Sequence, residues 1–144
     1  MGKEQFVGVW TLLSAVWTRS DGTVNYLFGQ EPIGRLVYTK NGHMFTTVMR
    51  HSHTRFASGD PRRGTPEEIK SAYEGYIFYY GTYEVDDEEG VVIHHVERSS
   101  FPNWDGGDQR RFFEFSGDRL KLWHDPILVE GVEITGTLIW KRIE

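Results

Sequence analysis

Residues 35–50 read Arg35-Leu36-Val37-Tyr38-Thr39-Lys40-Asn41-Gly42-His43-Met44-Phe45-Thr46-Thr47-Val48-Met49-Arg50. Two runs rich in β-branched and aromatic residues, Arg35 to Thr39 and His43 to Arg50, flank Lys40-Asn41-Gly42. Asn-Gly between such runs is the strongest short-range hairpin signal. This hairpin sets the reading of the rest of the chain.

The same pattern recurs on either side. Val9 to Thr18 reads as a first strand ending at Ser20-Asp21-Gly22, and Thr23 to Phe28 as a second, before the breaker region Gly29 to Gly34. Residues 51–64 show no periodicity and read as a charged loop. Thr65-Pro66-Glu67-Glu68 combines an N-cap, a first-position proline and first-turn acids. It predicts one helix from Pro66 to near Tyr76, burying Ile69, Ala72, Tyr73 and Tyr76. Further strands follow at Tyr79 to Val85, Val91 to Arg98, Gln109 to Phe115, Leu120 to His124 and Glu133 to Arg142. Eight to ten antiparallel strands with a single short helix must hide their edges, and closing the sheet into an up-and-down barrel does so completely. The expected fold is therefore an all-β closed barrel forming one domain over residues 1–144. A barrel of about eight strands leaves room for side chains or for one small ligand.

Composition narrows the function. Five Trp, seven Tyr and nine Phe in 144 residues supply a large aromatic core. The formal net charge of −5 argues against nucleic acid as a partner. No apolar stretch is long enough to span a bilayer, and the start of the chain shows no secretory pattern, so a cytoplasmic location is expected, as monomer or homodimer. The absence of Cys excludes disulfides, thiolate metal sites and a cysteine nucleophile. His51-x-His53 and His94-His95 have no third ligand at normal spacing, so no metal is expected. No phosphate loop, serine elbow or dinucleotide fingerprint is present, and no cofactor is expected.

Several ordered motifs carry a family resemblance. Gly8-Val9-Trp10 looks like the G-x-W motif of the calycin group of ligand-holding barrels. Trp140-Lys141-Arg142 looks like its closing strand, whose Arg covers the Trp at the barrel floor. Gly34-x-Leu36-x-Tyr38, the run Tyr80 to Val85, His94-His95-Val96, Pro102-Asn103-Trp104-x-Gly106, Gln109-x-Arg111 and Arg119-Leu120-x-Leu122 extend the match. Together they resemble the short lipocalin-like domain family over nearly the whole chain. The resemblance implies a small-molecule-binding barrel but not which activity, since such barrels serve as carriers, cofactor holders and enzymes. The disulfide of extracellular lipocalins has no counterpart here.

Strand alternation proposes the site. His94 sits between Val92 and Val96, which favours an inward position over that of His95. It reads either as a core histidine bonded to backbone or tyrosine, or as a general base. Arg111 shares parity with Phe113 and Phe115, so it either enters an apolar cavity, where it needs a partner, or sits at the rim. The candidate catalytic set is His94, Tyr83 and Arg111. Tyr38, Met44, His95, Asn103, Trp104, Phe113 and Trp123 are the candidate ligand contacts. Two functions stay open. One is a cofactor-free cyclase, isomerase, dehydratase or lyase. The other is a carrier for a small apolar or aromatic molecule.

Overall fold

A computed structural model describes residues 2–144. The chain forms α1 (Gly2–Phe6), β1 (Gly8–Arg19), β2 (Val24–Asn25), β3 (Ile33–Tyr38), β4 (His43–Met49), α2 (Pro66–Glu74), β5 (Tyr76–Asp86), β6 (Val91–Ser99), β7 (Asp108–Ser116), β8 (Arg119–Trp123), β9 (Ile127–Val129) and β10 (Val132–Arg142). A 3₁₀ turn covers Pro102–Trp104. Hydrogen bonding runs in the order β1-β3-β4-β5-β6-β7-β8-β10, and β10 returns to β1. Eight strands therefore close an antiparallel barrel, with β2 and β9 as short additions.

The hairpin forms, with Tyr38 opposite Met44 and Gly34 opposite Val48; its turn closes by a hydrogen bond from the Gly42 N–H to the Thr39 carbonyl, and Gly42, at φ +94°, takes the left-handed position. In β3 and β4 alternate residues are buried: Leu36 and Tyr38, then Met44, Thr46 and Val48. The expected strand from Thr23 to Phe28 shrinks to Val24–Asn25, because after Asn25 the chain leaves β1 and turns at Tyr26–Gly29.

The helix forms with a full capping box between Thr65 and Glu68. It does not bury the predicted face: Ile69 is 52% and Tyr73 47% exposed. Inward strand residues already fill the barrel, so a helix outside it has little apolar surface left to cover, and its capping chemistry sustains it instead.

The floor is closed by a device the sequence reading had only in part. Arg142 lies over the Trp10 ring, 4.3 Å from its centroid. Its guanidinium also donates to the main-chain carbonyls of Val7, at 2.6 Å, and Gln5. The unforeseen part is α1. Phe6, wholly buried, packs edge-on against Tyr38, Phe113 and Phe115, while Trp10 Nε1 donates to the Phe6 carbonyl at 2.9 Å. Gly8 has φ +140°, and a Cβ there would lie 2.3 Å from the Glu144 carbonyl oxygen. The glycine of the G-x-W motif thus permits the two chain ends to meet.

Replacing Arg142 by Met should uncover the Trp10 face and strand two carbonyl acceptors. The expected cost is about 1–3 kcal/mol, read as a lowered denaturant midpoint at unchanged slope.

Candidate functional site

Above the floor, the interior holds a cavity of about 90 Å³ lined by Trp17, Leu36, Tyr79, His94, Arg111 and Trp140 among others. A single water takes roughly 10–15 Å³ on this scale, so the space suits one ring rather than a long chain. Its half-buried lining residues are Ile77, Trp104, Arg111, Ile127 and Leu138, and its mouth lies among them.

Its polar centre is a chain of three side chains. Tyr38 Oη lies 2.6 Å from His94 Nε2, and Tyr79 Oη lies 2.6 Å from His94 Nδ1. All three residues are at least 95% buried. Burial, reinforced by the Arg111 charge and then by His95, holds the His94 imidazole well below its ordinary pKa of 6.5. Burial likewise pushes the Tyr38 and Tyr79 hydroxyls up. The chain is therefore uncharged at neutral pH, and a neutral imidazole has one donor and one acceptor nitrogen.

The direction of the chain follows from hydrogen-bond accounting. Tyr38 Oη has His94 as its only hydrogen-bond partner among the described residues. Were Nε2 to carry the proton, the buried Tyr38 hydrogen would have no acceptor, at about 1–3 kcal/mol. Tyr38 therefore donates to Nε2, Nδ1–H donates to Tyr79 Oη, and the Tyr79 hydrogen is left for the cavity. His124, a second buried histidine at the wall, is settled more directly. Its Nε2 accepts from the Gly136 N–H at 3.0 Å, so Nδ1–H donates to the Asp125 carbonyl at 2.7 Å.

The structure sorts the candidate residues. His94, Arg111 and Trp104 line the cavity, and Tyr38 supports His94 from the floor side. Tyr83 does not take part: its hydroxyl donates to the Thr39 carbonyl at 2.8 Å, beneath Lys3. Tyr79, four residues earlier on the same strand face, occupies the place assigned to it. His95 points outward, between Asp108 at 2.7 Å and Glu84 at 3.4 Å, and hydrogen bonding to Asp108 raises its pKa. Trp123 also lies outside, stacked on Phe112 and beneath Lys121. The pleat explains both corrections, since each is adjacent in sequence to an inward residue, His94 and Leu122. Phe113 is taken up by the floor cluster. Met44 is buried in the core near Tyr38 but lies outside the cavity wall. Asn103 is exposed on the turn whose Trp104 packs edge-on against Tyr79. The glycine at 81 admits the His95 carbonyl, to which a Cβ would come within 1.9 Å, so the close approach is by backbone.

Arg111 has no carboxylate within ion-pair distance among the described residues. Its guanidinium bonds the Arg110 carbonyl and the Gln109 side-chain oxygen. No group of three His, Asp or Glu that could hold a metal occurs among the described residues, and no helix there is long and apolar enough to cross a membrane.

A closed barrel plugged at one end, with a small, mostly apolar interior cavity that a few polar side chains face, defines a small-molecule-binding barrel. The chain belongs to the lipocalin-like domain family, whose model matches residues 7–143. It is 34% identical over 107 residues to the 4'-hydroxy-3'-methoxypropiophenone carrier protein ppsC of Aspergillus oryzae (strain ATCC 42149 / RIB 40). That match covers 69% of this chain and 96% of the relative.

Protons report on His94. A histidine kept neutral in the folded state and free to protonate when unfolded makes stability fall as pH drops below about 6.5. The limit is about 1.4 kcal/mol per pH unit for each such residue. His124, also lowered by burial, adds to this, whereas the raised, partly exposed His95 opposes it weakly. Between pH 6.5 and 5 the His94→Gln variant should be less stable overall, yet its stability should depend on pH by about one proton less. Denaturant titrations at several pH values measure this.

Proposed function

We propose that this protein is a non-catalytic carrier that shelters a small, one-ring aromatic carbonyl compound, with the ring in the cavity and its substituents toward Trp104. The observation that carries the reading is the cavity itself: mostly apolar walls with a few polar side chains, Tyr79, His94 and Arg111 among them, able to orient a ligand. The curated relative is named as a carrier of an aryl ketone, which supports the same class of ligand here.

The geometry gives less support to the cyclase, isomerase, dehydratase or lyase reading. A general base needs a free lone pair within reach of the proton it takes. Both nitrogens of His94 are engaged by tyrosines, and the far end of the chain, Tyr38, is buried against the floor. A proton entering at Tyr79 has no exit. The three groups act as a fixed support rather than a shuttle.

Titration with 4'-hydroxy-3'-methoxypropiophenone should quench the fluorescence of Trp17, Trp104 and Trp140 saturably, and the compound should be recovered unchanged. Leu138→Trp, which sends an indole into the cavity, should abolish the quenching at an overpacking cost of about 1–3 kcal/mol; circular dichroism checks that the fold is kept. An absence of saturable binding would overturn the proposal. Recovery of an altered compound would return the protein to the enzymes.

A further inference from the structure

The polar groups that face the cavity are unequal in kind. Tyr79, on β5, has its hydroxyl hydrogen uncommitted by the accounting above. Arg111, on β7, brings a cation that has no anionic partner among the described residues, and an arginine has only donors to offer. The Trp140 indole, on β10, lines the cavity while its Nε1–H, in a residue 1% exposed, meets no acceptor. Buried donors of this kind are nearly always satisfied in folded proteins, and an orphan calls for an explanation. The histidine acceptors are spent: the lone pair of His94 takes Tyr38, and that of His124 takes Gly136. Thr46 already donates to the Arg35 carbonyl, leaving only its own oxygen.

We infer that the bound molecule presents an oxyanion to Tyr79, Arg111 and Trp140, so that the protein selects the conjugate base of a small aromatic acid. The oxyanion belongs to an acidic phenol, an enol or a carboxylate. This rests on the carrier reading and deepens it by naming the group on the ligand that is recognised. The chemistry is balanced by charge. An unpaired guanidinium at an apolar wall gains most from an anionic oxygen, and such charge-assisted bonds are roughly twice as strong as neutral ones. Tyr38 and His94 hold Tyr79 in place, and both His94 nitrogens are already engaged by the tyrosines; with His94 neutral, no second positive charge competes for the oxyanion.

Two matched pairs of probes test it: 4-nitrophenol against 4-nitroanisole, and benzoate against benzamide. Absorbance of bound 4-nitrophenol should show the phenolate, with an apparent pKa lowered by about one unit or more, equivalent to about tenfold preference for the anion. Benzoate should likewise outbind benzamide if a carboxylate is accommodated in the same position; preference for one anion alone identifies its source. Arg111→Met should lower the ratio of 4-nitrophenolate to 4-nitroanisole affinity by about tenfold, a ratio that cancels any change in the cavity common to both probes. If 4-nitroanisole binds but neither anion is preferred, the oxyanion inference fails and the carrier reading stands. Failure of all four probes to bind would overturn both.

Discussion

β1 is hydrogen-bonded to β3 through Gly8–Thr11 and to β10 from Trp10 to Arg19, and this double pairing keeps bulk water from the inside. Once the sheet is closed, each inward polar group must find a partner within the protein or in a ligand. Tyr38, His94 and Tyr79 meet that condition as a neutral chain, and His124 meets it with two backbone groups. Arg111 and Trp140 do not meet it completely. The site is thus the remainder left when the barrel's own polar demands are settled.

The same closure explains why the floor is elaborate. A barrel end without a cover would admit water to Tyr38 and loosen the histidine it supports. Phe6 fills the end, the Phe113 and Phe115 rings pack against it, and Arg142 binds the carbonyls of the segment that carries it. Support for the polar cluster is therefore aromatic packing on one side and hydrogen bonding on the other.

Much of the fold was legible because turn chemistry and alternation are local signals. Asn41-Gly42 located one hairpin, and Val92, His94 and Val96 identified the inward face of β6. Helix α2 was legible from its cap, but the destination of its apolar residues was not, since only the completed barrel shows that no inside surface remains. The site was half legible. Tyr83 and Tyr79 share one strand parity, and nothing local says which of them reaches His94; that depends on where β5 meets the mouth and the floor. Trp123 and His95 failed by a single pleat position. Phe6 and α1 carried no strand or cap signal, and their role appears only where β1 and β10 meet.

The closing pair also has a consequence for how the molecule comes into being. β1 and β10 lie at opposite ends of the chain, so their pairing is among the most non-local contacts possible here, and such contacts form slowly. β10 also supplies Leu138 and Trp140 to the cavity wall and Arg142 to the floor. During synthesis, β1 through β8 can meander into a curved sheet with two open edges, but no vessel exists until the last strand arrives. Assembly of the cavity is therefore tied to completion of the barrel: a chain stopped before β10 exposes two unpaired edges, which invite association with other chains, and has no enclosed space in which to hold anything.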